Sequence, residues 1–386
     1  MRLNRLALEN FRSYAAADLL PDERLTIVAG RNGAGKTNLL ESVYVAITGR
    51  SHRAGADAEL VRHGAAWGRV RLDLTTDGGE PARIELLIPG AQPGPEVRKR
   101  LLLNGVPRRS VTIGEVARAV LFRPEEMLLL VGSPSERRRF LDSILAQRDR
   151  RVARDLVELG RVLTQRNALL RAIRREEATP DGLGFWDERL IVLGAGVTAA
   201  RLQLVDELNE RVAPLHAAVA TGDEAGQAVR LAYIDSLKDA WDHAAADAEA
   251  LVPAFRRRLV EVRQKELWNG VSLVGPQRDD LRVELAGRDV AEHASRGQQR
   301  TIILAMKLAE TELLGEAGAP RPVVLLDDIF SELDAQRSVR ALALLLERGQ
   351  VLVTMADLAV IPASRRRGVP VWQVGEGELS LAPRVA

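Results

Sequence analysis

The stretch "LTIVAGRNGAGKTNLLESVYVAI", Leu25 to Ile47, restricts the possible folds of this chain more than any other. A short apolar run reads as a buried strand. The octet Gly30 to Thr37 then fits G-x-x-x-x-G-K-[ST], and apolar residues at helical spacing follow it. Gly30, Gly33 and Gly35 permit a tight backbone path whose N–H groups face phosphate oxygens. Lys36 reaches the β and γ oxygens of a nucleotide, and the Thr37 hydroxyl is placed to ligate Mg²⁺. The expected cradle is Gly30, Arg31, Asn32, Gly33, Ala34, Gly35, Lys36, Thr37 and Asn38, holding ATP.

A second segment, "VVLLDDIFSELD", supplies the matching acidic end. An apolar run ending in Asp327 and Asp328 reads as a buried parallel strand whose C-terminal edge delivers carboxylates to a crevice, where open α/β sheets bind ligands. Asp327 is the expected Mg²⁺ partner. Asp328 is placed to orient or deprotonate an attacking water, so Lys36 and Asp328 are the expected catalytic pair.

The chain of 386 residues is 46% hydrophobic, enough for one large or two moderate domains with a buried core. It has no cysteine, which excludes disulfides and thiolate metal sites and suits a reducing compartment. No stretch approaches the ~18 apolar residues of a membrane span, and "MRLNRLALENFRSY" alternates like a strand rather than a signal peptide. A cytoplasmic location is expected. The formal charge of +2 means that any affinity for nucleic acid must come from local patches.

Residues 1 to about 130 read as strands separated by Gly, Pro and Asp clusters around one helix. From Pro134 to Trp268 the spacing is helical throughout, and strand patterns return at "VSLVG". The fold class expected is therefore α/β: a P-loop ATPase head with a mixed sheet, residues 1–133 and 269–386, interrupted by a helical arm at 134–268. The arm lacks the sustained heptads of a long coiled coil.

Between the arm and the acidic strand lies "ASRGQQRTIILAMKLAE", where Ser295, Gly297 and Gln298 open an apolar-periodic helix. Free N–H groups and the helix dipole make such a start an anion perch. The order of P-loop, insertion, Ser-x-Gly-Gln helix, acidic strand and "SELD" resembles the SMC-like branch of the ATP-binding-cassette ATPases. In that branch, the Ser-x-Gly-Gln signature of one subunit caps the γ-phosphate held by the P-loop of another. The resemblance implies that Ser295, Gly297 and Gln298 complete the site across an ATP-dependent homodimer, with Ser331, Glu332, Leu333 and Asp334 along its seam.

Further segments narrow the resemblance. "ENFRSY", "GRSHR", "LFRPEEMLLLVGSPSERRRFLD", "TQRNALL" and "VGPQRDD", in this order and over nearly the whole chain, are similar to the RecF family of bacterial recombination mediators. This implies an ATP-dependent DNA-binding protein of replication, repair and recombination that dimerises on ATP, hydrolyses it slowly, and works with RecO and RecR in placing RecA at gaps and stalled forks. The chain departs from the pattern in having Gln277 where the family usually has His, and Asp328 where most cassette ATPases have Glu. It also has Ala356 and Asp357 where transporters carry a His. The region corresponding to the transporters' Gln loop, "LFRPEEM", likewise lacks its Gln, and the loss of this Gln and of the His predicts a weak ATPase. A transporter's nucleotide-binding subunit and a structural SMC protein are the alternatives. The arginine-rich insertion and missing His oppose the first, and the absence of long heptad arms opposes the second.

Twelve arginines against four acids between Arg137 and Arg175 suggest a phosphate track, with Arg137, Arg138 and Arg139 as its root. Arg98, Lys99 and Arg100 form a second candidate. Aromatic residues make up only 4% of the chain and none interleaves with these clusters, so recognition of the DNA backbone and shape, in a duplex or at a junction, is expected rather than base stacking. Arg12 and Arg53, on either side of the P-loop, are further candidates for reaching the nucleotide phosphates.

Overall fold

The computed structural model describes residues 1–92, 98–238, 241, 247–316, 318–358, 366–375 and 377–382. In chain order the elements begin with β1 (Arg2–Phe11), β2 (Tyr14–Leu19), β3 (Leu25–Ala29), α1 (Lys36–Thr48), β4 (Trp67–Thr75), β5 (Pro81–Pro89), β6 (Arg100–Leu103), β7 (Val106–Arg108) and β8 (Ala119–Phe122). A helical stretch follows: α2 (Leu128–Val131), α3 (Pro134–Arg148), α4 (Arg150–Arg174) and α5 (Leu183–Val219), then β9 (Val229–Ile234) and α6 (Ala248–Asn269). The remainder is β10 (Asp280–Leu285), β11 (Arg288–Asp289), α7 (Val290–His293), α8 (Arg296–Leu314), β12 (Val323–Asp327), α9 (Ala335–Arg348), β13 (Gln350–Met355), β14 (Val371–Gly375) and β15 (Glu378–Leu381). No helix among the described residues is long and apolar enough to cross a membrane.

The chain packs as two units, residues 1–126, 217–225 and 304–386 in the first and 127–216 with 226–303 in the second. The first contains the mixed sheet expected and, besides it, a second sheet that is antiparallel. Strands β2-β1-β4-β5-β6-β7 form an antiparallel sheet, and β15-β14-β3-β13-β12-β8 form another in which all neighbours but β15 run parallel. The residues explain the split. Buried and less buried positions alternate along β4 and β5, as in a sheet covered on one face, whereas every residue of β3, β12 and β13 is buried, as in a sheet covered on both.

Helix α1 packs on strands of both sheets. Its Leu39, Leu40, Val43, Ala46 and Ile47 share one core with Leu6, Leu8, Leu72 and Ile84 of the antiparallel sheet and Val323, Leu325 and Leu352 of the parallel one. The helix behind the P-loop is therefore clamped between two layers, and its N-terminus is held in place by apolar burial.

The second unit corrects two expectations. The stretch 134–268 is not helical throughout, because β9, with the sequence VRLAYI, pairs antiparallel with β10 from Asp280↔Ile234 to Leu285↔Val229. Six alternating residues are hidden among helices when their partner strand lies some fifty positions later. The same pairing draws residues 270–303 into the second unit, so the boundary expected at 268/269 falls inside it. Its core is Leu159 and Val162 of α4, Leu190, Ile191 and Leu193 of α5, and Leu251, Phe255, Leu259 and Val262 of α6.

Candidate nucleotide site

The P-loop leaves β3 at Ala29, and the Gly30 N–H donates to the Met355 carbonyl of β13 at 3.3 Å. Gly33 and Gly35 have φ of 82° and 113°, in the left-handed region where a side chain is strained. At Gly35 there is no room either: a Cβ would lie 2.8 Å from Ser13 Oγ and 3.2 Å from the Tyr14 hydroxyl. That hydroxyl donates to the Gly35 carbonyl at 3.0 Å, and burial raises its pKa well above the ordinary tyrosine value, which keeps it a donor. Lys36 is only 6% exposed, and its ammonium donates to the carbonyls of Gly30 at 2.8 Å and Arg31 at 3.1 Å. The loop thus closes around its own lysine, with Ala34 N–H bonded to Arg31 O across the turn.

The acidic end is positioned by β13. In the parallel register Asp327 lies beside Thr354, whose hydroxyl donates to Asp327 Oδ1 at 2.7 Å and accepts from the Asp328 N–H at 3.1 Å. One threonine thereby orients both carboxylate residues. Asp328 itself has φ 51°, an uncommon conformation for a residue with a side chain, which turns the chain sharply out of β12.

A cleft of ≈ 400 Å³ joins the two ends. Asn32, Gly33, Gly35, Lys36, Thr37 and Asn38 line it together with Asp327 and Asp328, as the sequence leads one to expect. Sequence reasoning missed His52 and Glu125, which line the same cleft from "GRSHR" and "LFRPEEM". Their signal was present in the quoted segments, but nothing in the spacing says that these loops face the P-loop. Both ring nitrogens of His52 are buried without a hydrogen-bond partner among the described residues, and the ring meets Tyr44 edge-on, 6.0 Å between centroids. Burial, and after it the neighbouring Arg123 cation, pulls its pKa down from 6.5 to about 3, so the ring is neutral at physiological pH.

A pH dependence follows. The unfolded chain protonates this residue near pH 6.5 and the folded chain only near 3, so the stability of the neutral ring is complete above pH 6.5 and falls as the pH drops toward 3. In urea denaturation at pH 7 and pH 5, His52→Phe is expected to remove up to about 2 kcal/mol of the wild type's acid sensitivity. Equal losses in both proteins would contradict the neutral ring.

Arg12 occupies a different place from the one expected. It sits in the β1–β2 turn with φ 51°. It forms a two-bond ion pair with the fully buried Glu41 of α1, both contacts at 2.9 Å, and also donates to the Glu59 carbonyl. Burial pushes the Glu41 carboxyl up, but the hydrogen bonds from Arg12 and Ser51 outweigh it and leave its pKa below the ordinary value. Arg12 therefore braces the helix behind the loop. Arg53 remains exposed on the cleft wall.

Ser295, Gly297 and Gln298 belong to the second unit. There the Ser295 hydroxyl accepts from the Gln298 N–H at 3.3 Å and the Gln298 side chain accepts from the Ser295 N–H at 2.8 Å, a reciprocal cap that leaves Ser295 exposed at the start of α8. At the expected seam, Asp334 caps α9 through the Arg337 N–H; the Glu332 side chain lies outside the described residues.

The expected DNA residues divide. Arg137 forms a paired bond to Asp280 at 2.6 and 2.9 Å, and Arg138 donates to the Asp279 carbonyl at 2.7 Å. These two are corrected to internal ties, because carboxylate-bearing β10, remote in sequence, folds against α3. Arg139 stays 58% exposed beside Glu136. Lys99 is held by Asp57 and the Gly49 carbonyl, while Arg98 and Arg100 are exposed.

Residues 2–369 match the family described as the RecF/RecN/SMC N-terminal domain. The chain is 42% identical to the DNA replication and repair protein RecF of Frankia alni, over 94% of this chain and 95% of that one. It is 35% identical to the RecF of Chloroflexus aggregans over 98% and 99% of the two chains. In three dimensions it is similar to a solved structure of the recombination mediator RecF with ATP, of the RecFOR pathway, with a TM-score of 0.87, 26% identity and coverage of 99% and 98%. An SMC head bound to a winged-helix domain of ScpA shares the fold alone, at TM-score 0.56 and 15% identity. A P-loop facing an acidic strand end, in a chain matched by these relatives over almost its full length, places the protein in the RecF family of SMC-like ATPases.

Proposed function

We propose that this protein is an ATP-switched DNA-binding factor of replication and repair, in which two copies close on ATP and open again after slow hydrolysis. The cleft that unites Lys36 and Thr37 with Asp327 and Asp328 carries this reading. ATP binds along the loop from Gly30 to Asn38. Its γ-phosphate is capped by Ser295, Gly297 and Gln298 of a second copy, and the exposure of the capped Ser295 at a helix start supports that role. Asp328 orients the water that attacks. Being one methylene shorter than the usual Glu, it supports a timer rather than a pump.

Mg²⁺ fits the donors present. Thr37 and Asp327 offer hard oxygen ligands, and no group of three or more His, Cys, Asp or Glu among the described residues forms a metal cage. That suits an ion held by one or two protein oxygens together with phosphates. When bound, it would neutralise phosphate charge, while the chain's own residues hold the nucleotide and the water. RecO and RecR are the expected partners, and RecA loading at gaps and stalled forks the expected outcome, by analogy with the relatives.

Sedimentation with a non-hydrolysable ATP analogue should convert monomer to dimer, and gapped DNA should be preferred over intact duplex only when the nucleotide is present. Ser295→Arg should bind nucleotide like the wild type yet remain monomeric. A protein that stays monomeric with saturating nucleotide, or that binds both DNAs equally with and without it, would overturn the reading.

A further inference from the structure

The arginines that the sequence singled out are mostly occupied near α3, so the end of the stripe merits separate attention. At the C-termini of α4 and α6, three cations stand without a carboxylate partner among the described residues: Arg171 and Arg174 on α4, and Lys265 on α6, all exposed. Arg174 donates only to the backbone carbonyl of Asn269, at 3.1 Å. The chain turns there at Gly270, φ 69°, where a Cβ would lie 3.2 Å from Arg171 Cγ and 3.4 Å from the Arg174 guanidinium carbon, so both side chains run directly over this turn. Nearby acids do not neutralise the group. Glu266 is buried on Arg166, Glu177 pairs with Arg175 and Glu261 with Arg258, which leaves Glu176 among the described acids nearest in sequence.

Trp268 stands two residues before this turn and is 82% exposed. It follows Lys265 by three positions on α6, and helical side chains lean toward the N-terminus, so the indole shares a surface with the lysine. Trp268 is the most exposed of the large apolar side chains among the described residues. An exposed ring on the helix face of Lys265, followed within two residues by a turn that Arg171 and Arg174 cover, suits a ligand with flat π faces and a phosphate backbone.

We propose that Trp268 is a stacking platform for an unpaired base, with Arg171, Arg174 and Lys265 holding the flanking phosphates, and that this corner of the second unit contacts single-stranded DNA. The inference rests on the DNA-binding reading above and adds to it a site and a strand preference. It also departs from the expectation from sequence that base stacking is not the mode of recognition, because the turn after Trp268 meets the α4 arginines only through the packing of α6 on α4.

The test is equilibrium binding of the full chain, with the ATP analogue, to oligothymidylate, a gapped duplex and a blunt duplex. Trp268→Ala is expected to weaken the first two about tenfold and the blunt duplex less than twofold, while Trp268→Phe retains most of the affinity. The triple variant Arg171→Gln, Arg174→Gln, Lys265→Gln should lower the salt slope on oligothymidylate by about 2, from roughly 0.7 per phosphate contact. The high exposure of Trp268 means these variants should melt like the wild type. Unchanged binding of Trp268→Ala to all three probes, as a protein-docking role would give, overturns the proposal, as does an equal loss on all three. A wild type that binds none of them refutes the DNA-binding reading itself.

Discussion

Replacing Lys36 by alanine should weaken ATP binding by about two orders of magnitude, or roughly 3 kcal/mol, the loss expected for removing two hydrogen bonds from a cation to phosphate oxygens. The lysine is 6% exposed and its ammonium sits against the Gly30 and Arg31 carbonyls, so it is already held where phosphates would meet it. The fold should tolerate the change. Lys36 itself lines an open cleft from which water can replace the ammonium, and α1 is clamped by its apolar residues rather than by Lys36. Titration with a fluorescent ATP analogue, alongside a thermal melt, checks both halves. Affinity within threefold of the wild type at an unchanged melting temperature would show that the loop does not grip the nucleotide.

The largest expected effect on stability lies elsewhere, at Arg166 in the second unit. Its guanidinium is fully buried and donates to Asp187 at 2.9 Å, Ser272 Oγ at 2.7 Å and Glu266 at 2.6 Å, so α4, α5, α6 and the segment after α6 meet on one cation. Glu266 in turn accepts the Leu273 N–H, and Asn167 accepts both the N–H and the hydroxyl of Ser272. Arg166→Met should cost about 3–5 kcal/mol in chemical denaturation, because it strands the buried Glu266 carboxylate. Asp187 suffers less, since Arg263 also pairs with it. Adding Glu266→Gln to Arg166→Met should therefore recover part of the loss. A single substitution costing less than about 1 kcal/mol would mean that water reaches these groups.

Much of the nucleotide end was legible because its chemistry is local. Gly30 to Thr37 is contiguous, the positive φ of Gly33 and Gly35 is a property that few other residues share, and the carboxylates of Asp327 and Asp328 directly end an apolar run. Strand type was partly legible too, since alternation in β4 and β5 and unbroken burial in β3 and β12 follow from which faces are covered. What escaped the reading was set by partners distant in the chain. Thr354 orients both aspartates from a neighbouring strand, β9 becomes a strand because β10 pairs with it, and Arg137 and Arg138 become ties because Asp280 and the Asp279 carbonyl fold against them.

By itself, then, the sequence determined the loop, the acidic strand end and the family, all written in short contiguous motifs whose backbone and charge requirements are satisfied within a few residues. Only the tertiary structure decided which of many arginines are occupied, that His52 lines the cleft, and that Arg171 and Arg174 run over the turn that follows Trp268. A charge is taken or left free according to what packs against it, and in this chain the partners come from far along the sequence, as Asp280 does for Arg137.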